Sequence, residues 1–214
     1  MRAAILETAG QPLVLRDDVE IQAPRAGQVR VRVSHCGVCH SDLSIVDGTF
    51  PSPTPIVLGH EAAGVVDAVG PDVEGLAPGD HVVLTPIPPC GTCYWCVRGE
   101  PGVCVNASSI TSNTFRDGTT GLSRGGATVF RGVGLGAFAE MVLVPATGAV
   151  KIAPDVPLEV ACVVGCAVQT GVGAVLNTAR VEEGASVLVM GLGGVGLSIV
   201  QGARVAGAAR IIAA

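Results

Sequence analysis

ASVLVMGLGGVGLSIVQGARVAG, residues 185–207, places an apolar run, a glycine-rich turn and an amphipathic segment in immediate succession. A short apolar run closed by a turn reads as a buried strand, and LSIVQGARVAG has the spacing of a helix packed beneath a sheet. Gly191, Gly193 and Gly196 satisfy G-x-G-x-x-G at the junction, with Gly194 and Val195 between the last two. The N–H groups at such a helix start suit a pyrophosphate, so the turn is read as dinucleotide-binding, with a glycine-rich packing turn as the plainer alternative. ARIIAA then begins a second strand. The acidic residue that selects the ribose hydroxyl is expected about 20 residues further on, past Ala214, so NAD and NADP both stay open. One βαβ opening cannot bury both faces of a parallel sheet, and the sequence reads as the first part of a longer subunit.

Upstream lie eight cysteines. Cys90, Cys93, Cys96 and Cys104 form C-x2-C-x2-C-x7-C in PCGTCYWCVRGEPGVC. Four thiolates from one loop fill a tetrahedral zinc shell and leave no place for substrate, so this is read as a structural site. Disulfides would need an oxidising compartment, for which no targeting segment speaks, and an iron–sulfur site remains a minor alternative. A second constellation is dispersed: Cys39 in HCGVCHSDL, His60 in VLGHEAAG and Cys166 in VVGCAVQTG. Two thiolates and one imidazole leave a fourth position for water or substrate, as in Cys2His catalytic zinc sites. A lone cysteine in an apolar run, such as Cys166, is by itself more often packing.

Composition limits the function classes. The chain has 214 residues, 49% apolar content and a net charge of −5, with no basic tract of five or more. That balance disfavours nucleic acid and anionic membranes and favours a small-molecule partner. MRAAILETAG lacks a signal-peptide core and no apolar stretch reaches spanning length, so the expected location is the cytoplasm. From Met1 to about Lys151 the runs AAILE, QVRVRVSHCG, GVVDAVG and DHVVLTP read as short strands between Gly and Pro turns. Residues 118–136 read as a surface or cleft-lining excursion before FAEMVLVP resumes a strand. Residues 157–178 read as helical around Leu158 and again after Cys166, against the presence of Gly171 and Gly173.

Taken together, GVCHSD, GHEAAGVV, the four-cysteine run, GCAVQTG and GLGGVG resemble the zinc-containing medium-chain alcohol dehydrogenases along essentially the whole chain. The resemblance implies an α+β fold: a GroES-like, β-rich catalytic domain over residues 1–166 with a structural-zinc lobe at about 86–108, then the start of a Rossmann domain over 167–214. It implies two zinc ions per subunit, NAD (with NADP open), an alcohol or aldehyde substrate and a homodimer or homotetramer. Cys39, His60 and Cys166 resemble the catalytic zinc ligands, Asp42 the carboxylate holding the other nitrogen of His60, and Glu61 the carboxylate behind the metal. The plainer reading of Glu61 is a buried partner for an Arg.

Ser41 resembles the hydroxyl that starts the proton relay, although a Ser after Cys-His is otherwise often a turn residue. His40 resembles the basic residue at the pyrophosphate. Thr170 and Val195 resemble the residues flanking the nicotinamide; both could equally be core or cap residues. Cys36 and Cys162 match no ligand and read as packing. The chain departs from the family where Ser44 replaces a relay histidine and where Pro86 replaces an aromatic against the substrate. A wider pocket mouth follows, which residues 118–136 could narrow again, so the implied activity is oxidation of primary alcohols, aromatic or bulky ones included, to aldehydes. The alternative is a thiol-dependent formaldehyde dehydrogenase of the same family.

Overall fold

A computed structural model describes residues 1–107 and 109–214; Ser108, the expected last residue of the zinc lobe, lies outside them. Two compact units appear, Met1–Cys162 and Val163–Ala214. Strands β1 (Ala3–Leu6), β2 (Val14–Arg16), β3 (Glu20–Ile21), β4 (Gln28–Gly37), β5 (Ile56–Val57) and β6 (Glu61–Val69) open the first unit. They are followed by β7 (His81–Leu84), β8 (Leu122–Arg124), β9 (Ala127–Thr128), β10 (Phe130–Arg131), β11 (Met141–Pro145) and β12 (Ala149–Lys151). Its short helices are α1 (His40–Val46), α2 (Tyr94–Val97), α3 (Ser109–Ser112) and α4 (Leu158–Ala161).

The first unit is organised by an antiparallel five-stranded sheet in the order β11-β4-β6-β7-β12. Alternation in β4 decides which face is covered: Val29 and Val31 are buried whereas Arg32 is exposed. Val29 and Val31 pack with Val66, Leu84, Leu135 and Val144. A four-stranded sheet, β10-β5-β1-β2, and a three-stranded one, β3-β8-β9, build the rest. Ile45 anchors α1 among Leu6, Ile56, Leu58 and Val133. Gly64 in β6 has no room for a side chain, because a Cβ there would collide with the Arg32 carbonyl of β4.

Residues 118–136, expected as a surface excursion, instead supply β8, β9 and β10 and bury Leu122, Val129 and Arg131. Strands of two or three residues are too short to show a period, and Gly125 and Gly126, both at positive φ, turn the chain between β8 and β9.

The second unit contains α5 (Ala167–Gly173), which continues as a π-helical turn over Ala174–Ala179, then β13 (Ser186–Val189), α6 (Gly194–Val205) and β14 (Arg210–Ala213). β13 and β14 pair in parallel from Ser186↔Arg210 to Val189↔Ala213, which makes β13-α6-β14 a βαβ unit. Gly171, unfavourable on helix propensity, is required by packing: a Cβ would stand 2.5 Å from that of Ser198 and 2.6 Å from the Val195 carbonyl of α6. Among the described residues no single helix is long and apolar enough to cross a membrane.

Candidate metal centres and coenzyme loop

Strand register brings Cys39 and His60 together. Gly37, at the end of β4, lies opposite Glu61, at the start of β6. Cys39 therefore follows one partner strand by two residues while His60 immediately precedes the other, and the Cys39 sulfur and a His60 ring nitrogen lie within 4.8 Å. Asp42, 1% exposed, ties this corner. Its Oδ1 accepts the Gly59 N–H at 3.0 Å and faces His60 Nδ1 at 3.2 Å, and its Oδ2 accepts the Cys39 N–H at 3.1 Å. A carboxylate only accepts, so Nδ1 carries the proton and Nε2 presents its lone pair as a ligand. Gly59 sits at φ +90°, and a Cβ there would meet the Phe138 ring at 2.5 Å, which accounts for the glycine ahead of His60.

Burial alone would raise the Cys39 thiol, but the Ser41 N–H, the Ser41 hydroxyl and His60 outweigh it and hold it below its ordinary 9.0. The Ser41 oxygen stands 3.7 Å from the sulfur. Cys36 behaves oppositely: burial pushes its thiol up to about 12. A neutral thiol packed on the main core and a buried Cys162 that donates to the Glu159 carbonyl at 3.3 Å fit their reading as packing residues. Glu61 is 5% exposed, and no Lys or Arg pairs with it among the described residues. The plainer reading of Glu61 as an Arg partner therefore lapses. His40 is exposed at the first position of α1, Ser44 is buried on its inner face and Pro86 is buried just past β7.

The second cluster lies wholly in the first unit. The sulfurs of Cys90, Cys93, Cys96 and Cys104 are within 4.8 Å of one another. No disulfide joins them. Cys90 is the best-supported thiolate: the Asn106 side-chain amide donates to it at 3.3 Å, the Thr92 hydroxyl at 3.7 Å and the Cys93 N–H at 3.3 Å. These donors, Asn106 foremost, lower its pKa to about 5. Burial raises Cys96 to about 11, and Cys93 is lowered chiefly by the Cys96 N–H. Four clustered thiols suit one divalent soft cation, which would deprotonate them together. Sequence reasoning missed Asn106 and Thr92; the only signal was their placement two residues beyond a cysteine.

In the second unit Cys166 caps the start of α5, and its carbonyl accepts the Thr170 N–H at 2.9 Å. The three motif glycines differ in what requires them. Gly191 adopts φ +90°, and a Cβ on Gly196 would collide with the Gly191 carbonyl, so these two hold the turn against the helix. Gly193, the residue capping α6, has nothing within 4 Å of its Cβ position. Its bareness leaves backbone N–H groups approachable from outside. Gly194 would place a Cβ 3.3 Å from that of Ala167, while Val195 is 40% exposed and Thr170 is exposed on α5.

The profile of the alcohol dehydrogenase GroES-like domain matches residues 25–155. A curated relative, S-(hydroxymethyl)glutathione dehydrogenase of Haemophilus influenzae, is 43% identical over 99% of this chain and 56% of its own length. The crystal structure of an alcohol dehydrogenase zinc-binding domain protein from Burkholderia ambifaria superposes with a TM-score of 0.93 at 42% identity, covering 99% of this chain and 58% of that one. Benzyl alcohol dehydrogenase from Acinetobacter calcoaceticus follows at 0.91 and 36% identity, covering 99% of this chain and 57% of its own. The chain thus spans a little over half the length of the relatives it matches.

Proposed function

The chain belongs to the zinc-dependent medium-chain alcohol dehydrogenase family, and from that premise we propose that it supplies the zinc and pyrophosphate sites of an NAD-dependent enzyme oxidising S-(hydroxymethyl)glutathione. The overall change is RS–CH2OH + NAD⁺ → RS–CHO + NADH + H⁺, where RS is the thiol. This reading takes the thiol-adduct alternative over oxidation of simple alcohols, because the curated relative named for it is 43% identical, ahead of the benzyl alcohol enzyme at 36%. The observation that carries the chemistry is the buried Asp42 joining Cys39 and His60.

Cys39, His60 and Cys166 would hold the catalytic zinc, and Cys90, Cys93, Cys96 and Cys104 the structural one. When bound, zinc supplies Lewis acidity to the substrate oxygen and NAD supplies the hydride acceptor. Asp42 keeps the proton on His60 Nδ1, so that Nε2 stays unprotonated. Ser41 would receive the substrate hydroxyl proton and pass it towards solvent; Ser44 cannot continue the relay as a base. Glu61, buried next to His60 in the chain, would serve as the carboxylate behind the metal. His40 and the first N–H groups of α6, beyond Gly191, Gly193, Gly194 and Gly196, would hold the pyrophosphate, and Thr170 and Val195 would take the nicotinamide.

The test is NADH formation by the full-length subunit from formaldehyde with and without glutathione. Dependence on the thiol is expected; equal turnover of benzyl alcohol without thiol would replace this reading with the aromatic-alcohol one, which the Acinetobacter similarity favours. Ser41→Ala should lower turnover and change its pH profile at unchanged zinc content.

A further inference from the structure

Arg131 closes β10 and is 1% exposed. Its Nη2 donates to the Gly134 carbonyl at 2.6 Å, and its guanidinium carbon lies 3.6 Å from the Phe115 ring centroid. Its Nη1, also buried, has no hydrogen-bond partner. No acidic side chain pairs with it among the described residues. Burial alone draws its pKa down to about 9. A fixed cation with an idle donor, held away from water, is a strongly unfavourable arrangement unless an anion meets it.

The same side chain lines a cavity of about 460 Å³ within the first unit. That volume lies in the usual range for small-ligand pockets. Arg116 adds a second cation, Thr147 and Asn106 add polar groups, and Pro88 and Phe115 supply apolar wall. No Asp or Glu lines it among the described residues, and Cys90 of the four-cysteine lobe stands at its edge, although the chain as a whole carries −5. Phe115 lies against one face of the Arg131 guanidinium and Gly134 occupies one of its edges, which leaves Nη1 as its unpaired donor.

We propose that this cavity, beside the four-cysteine lobe and separate from the Cys39–His60 corner, binds a small organic carboxylate, with Arg131 as the fixed donor, Arg116 as the exposed one and the Pro88–Phe115 wall for its apolar body. None of Cys39, His60 and the α6 glycines lines this cavity, so the site stands whether or not the substrate reading does.

Calorimetric titration of the zinc-loaded full-length subunit with benzoate, and separately with inorganic phosphate, tests it. Saturable benzoate binding is expected, weakened by about 10- to 100-fold in Arg131→Met, the worth of one hydrogen bond to a charged group. Arg116→Gln, a change at an exposed side chain, should weaken it by roughly tenfold with the fold intact. If Arg131→Met does not fold, Arg116→Gln and Arg131→Lys carry the result, with Lys expected to weaken binding by losing the planar edge. Absence of saturable binding, phosphate binding in place of benzoate, or benzoate binding that competes with the alcohol and ignores Arg116→Gln would each overturn the assignment.

Discussion

Asp42→Asn removes one charge and exchanges one acceptor for a donor at a position that is 1% exposed. The carboxylate serves three donors: the N–H groups of Gly59 and Cys39, and His60 Nδ1. An asparagine whose oxygen faces His60 and Gly59 must turn its NH2 towards the Cys39 N–H, leaving the start of α1 without its acceptor. Losing that contact costs about 1–2 kcal/mol. The opposite flip places NH2 against His60 Nδ1, which drives the imidazole proton to Nε2 and removes the lone pair a metal needs. Either way the outer partner of a ligand is lost, which lowers metal affinity about 10- to 100-fold. The assay is competition for zinc between the full-length subunit and a chromogenic chelator, read alongside urea denaturation. One zinc should leave at a 10- to 100-fold lower chelator concentration than in the wild type, while the zinc of the four-cysteine lobe is released unchanged. Two zincs released as in the wild type, with denaturation unshifted, would refute the argument that the Asp42 carboxylate fixes the tautomer.

Three further outcomes follow from particular contacts. Asn106→Ala should release the lobe's zinc at roughly tenfold lower chelator concentration, because Cys90 loses its strongest donor; release unchanged from wild type would show the amide to be incidental. Gly193→Ala should fold normally, since nothing stands within 4 Å of the new methyl, yet bind NADH weakly because the methyl occupies the approach to the α6 N-terminus; Gly196→Ala should instead destabilise the second unit through collision with Gly191, and fluorescence titration with denaturation separates the two. Glu7, whose carboxyl accepts from Arg124 and Arg16 and is held below its ordinary 4.5, should give a pH-dependent difference between wild type and Glu7→Gln. Because the folded value is the lower one, that contribution is whole above pH 4.5 and fades as pH falls through the folded pKa; for a partly exposed cluster it amounts to about 0.5–1 kcal/mol by urea denaturation between pH 3 and 6.

Elements that repeat a period over many residues were legible from sequence, and those that do not were lost. QVRVRV alternates long enough to declare one face buried, and ASVLVM with its glycine turn declares a parallel strand ahead of a helix. By contrast, β8, β9 and β10 span three residues or fewer, so Leu122, Val129 and Arg131 looked like loop although all three are buried. Gly171 illustrates the reverse error: propensity counts a helical glycine as a defect, whereas the backbone of α6 stands where its side chain would be.

The candidate site divides along the same line, between what a residue is and what surrounds it. Spacing identified Cys90, Cys93, Cys96 and Cys104 as a group, because ligands from one loop must be near one another. Spacing could not rank them. That Cys90 falls to about 5 while Cys96 rises to about 11 follows from Asn106 and from burial, and neither is written in the distance between cysteines. Cys36 and Cys39 make the point more sharply: three residues apart, one is pushed up to about 12 and the other held below 9.0. The difference arises because Cys36 still lies within β4, paired with β6 and packed on its core, whereas Cys39 stands beyond the strand end at the start of a helix, where Ser41 and His60 reach it. The end of a strand pairing thus separates a packed thiol from one that could serve a metal, and it does so at the place where Asp42 can also hold His60.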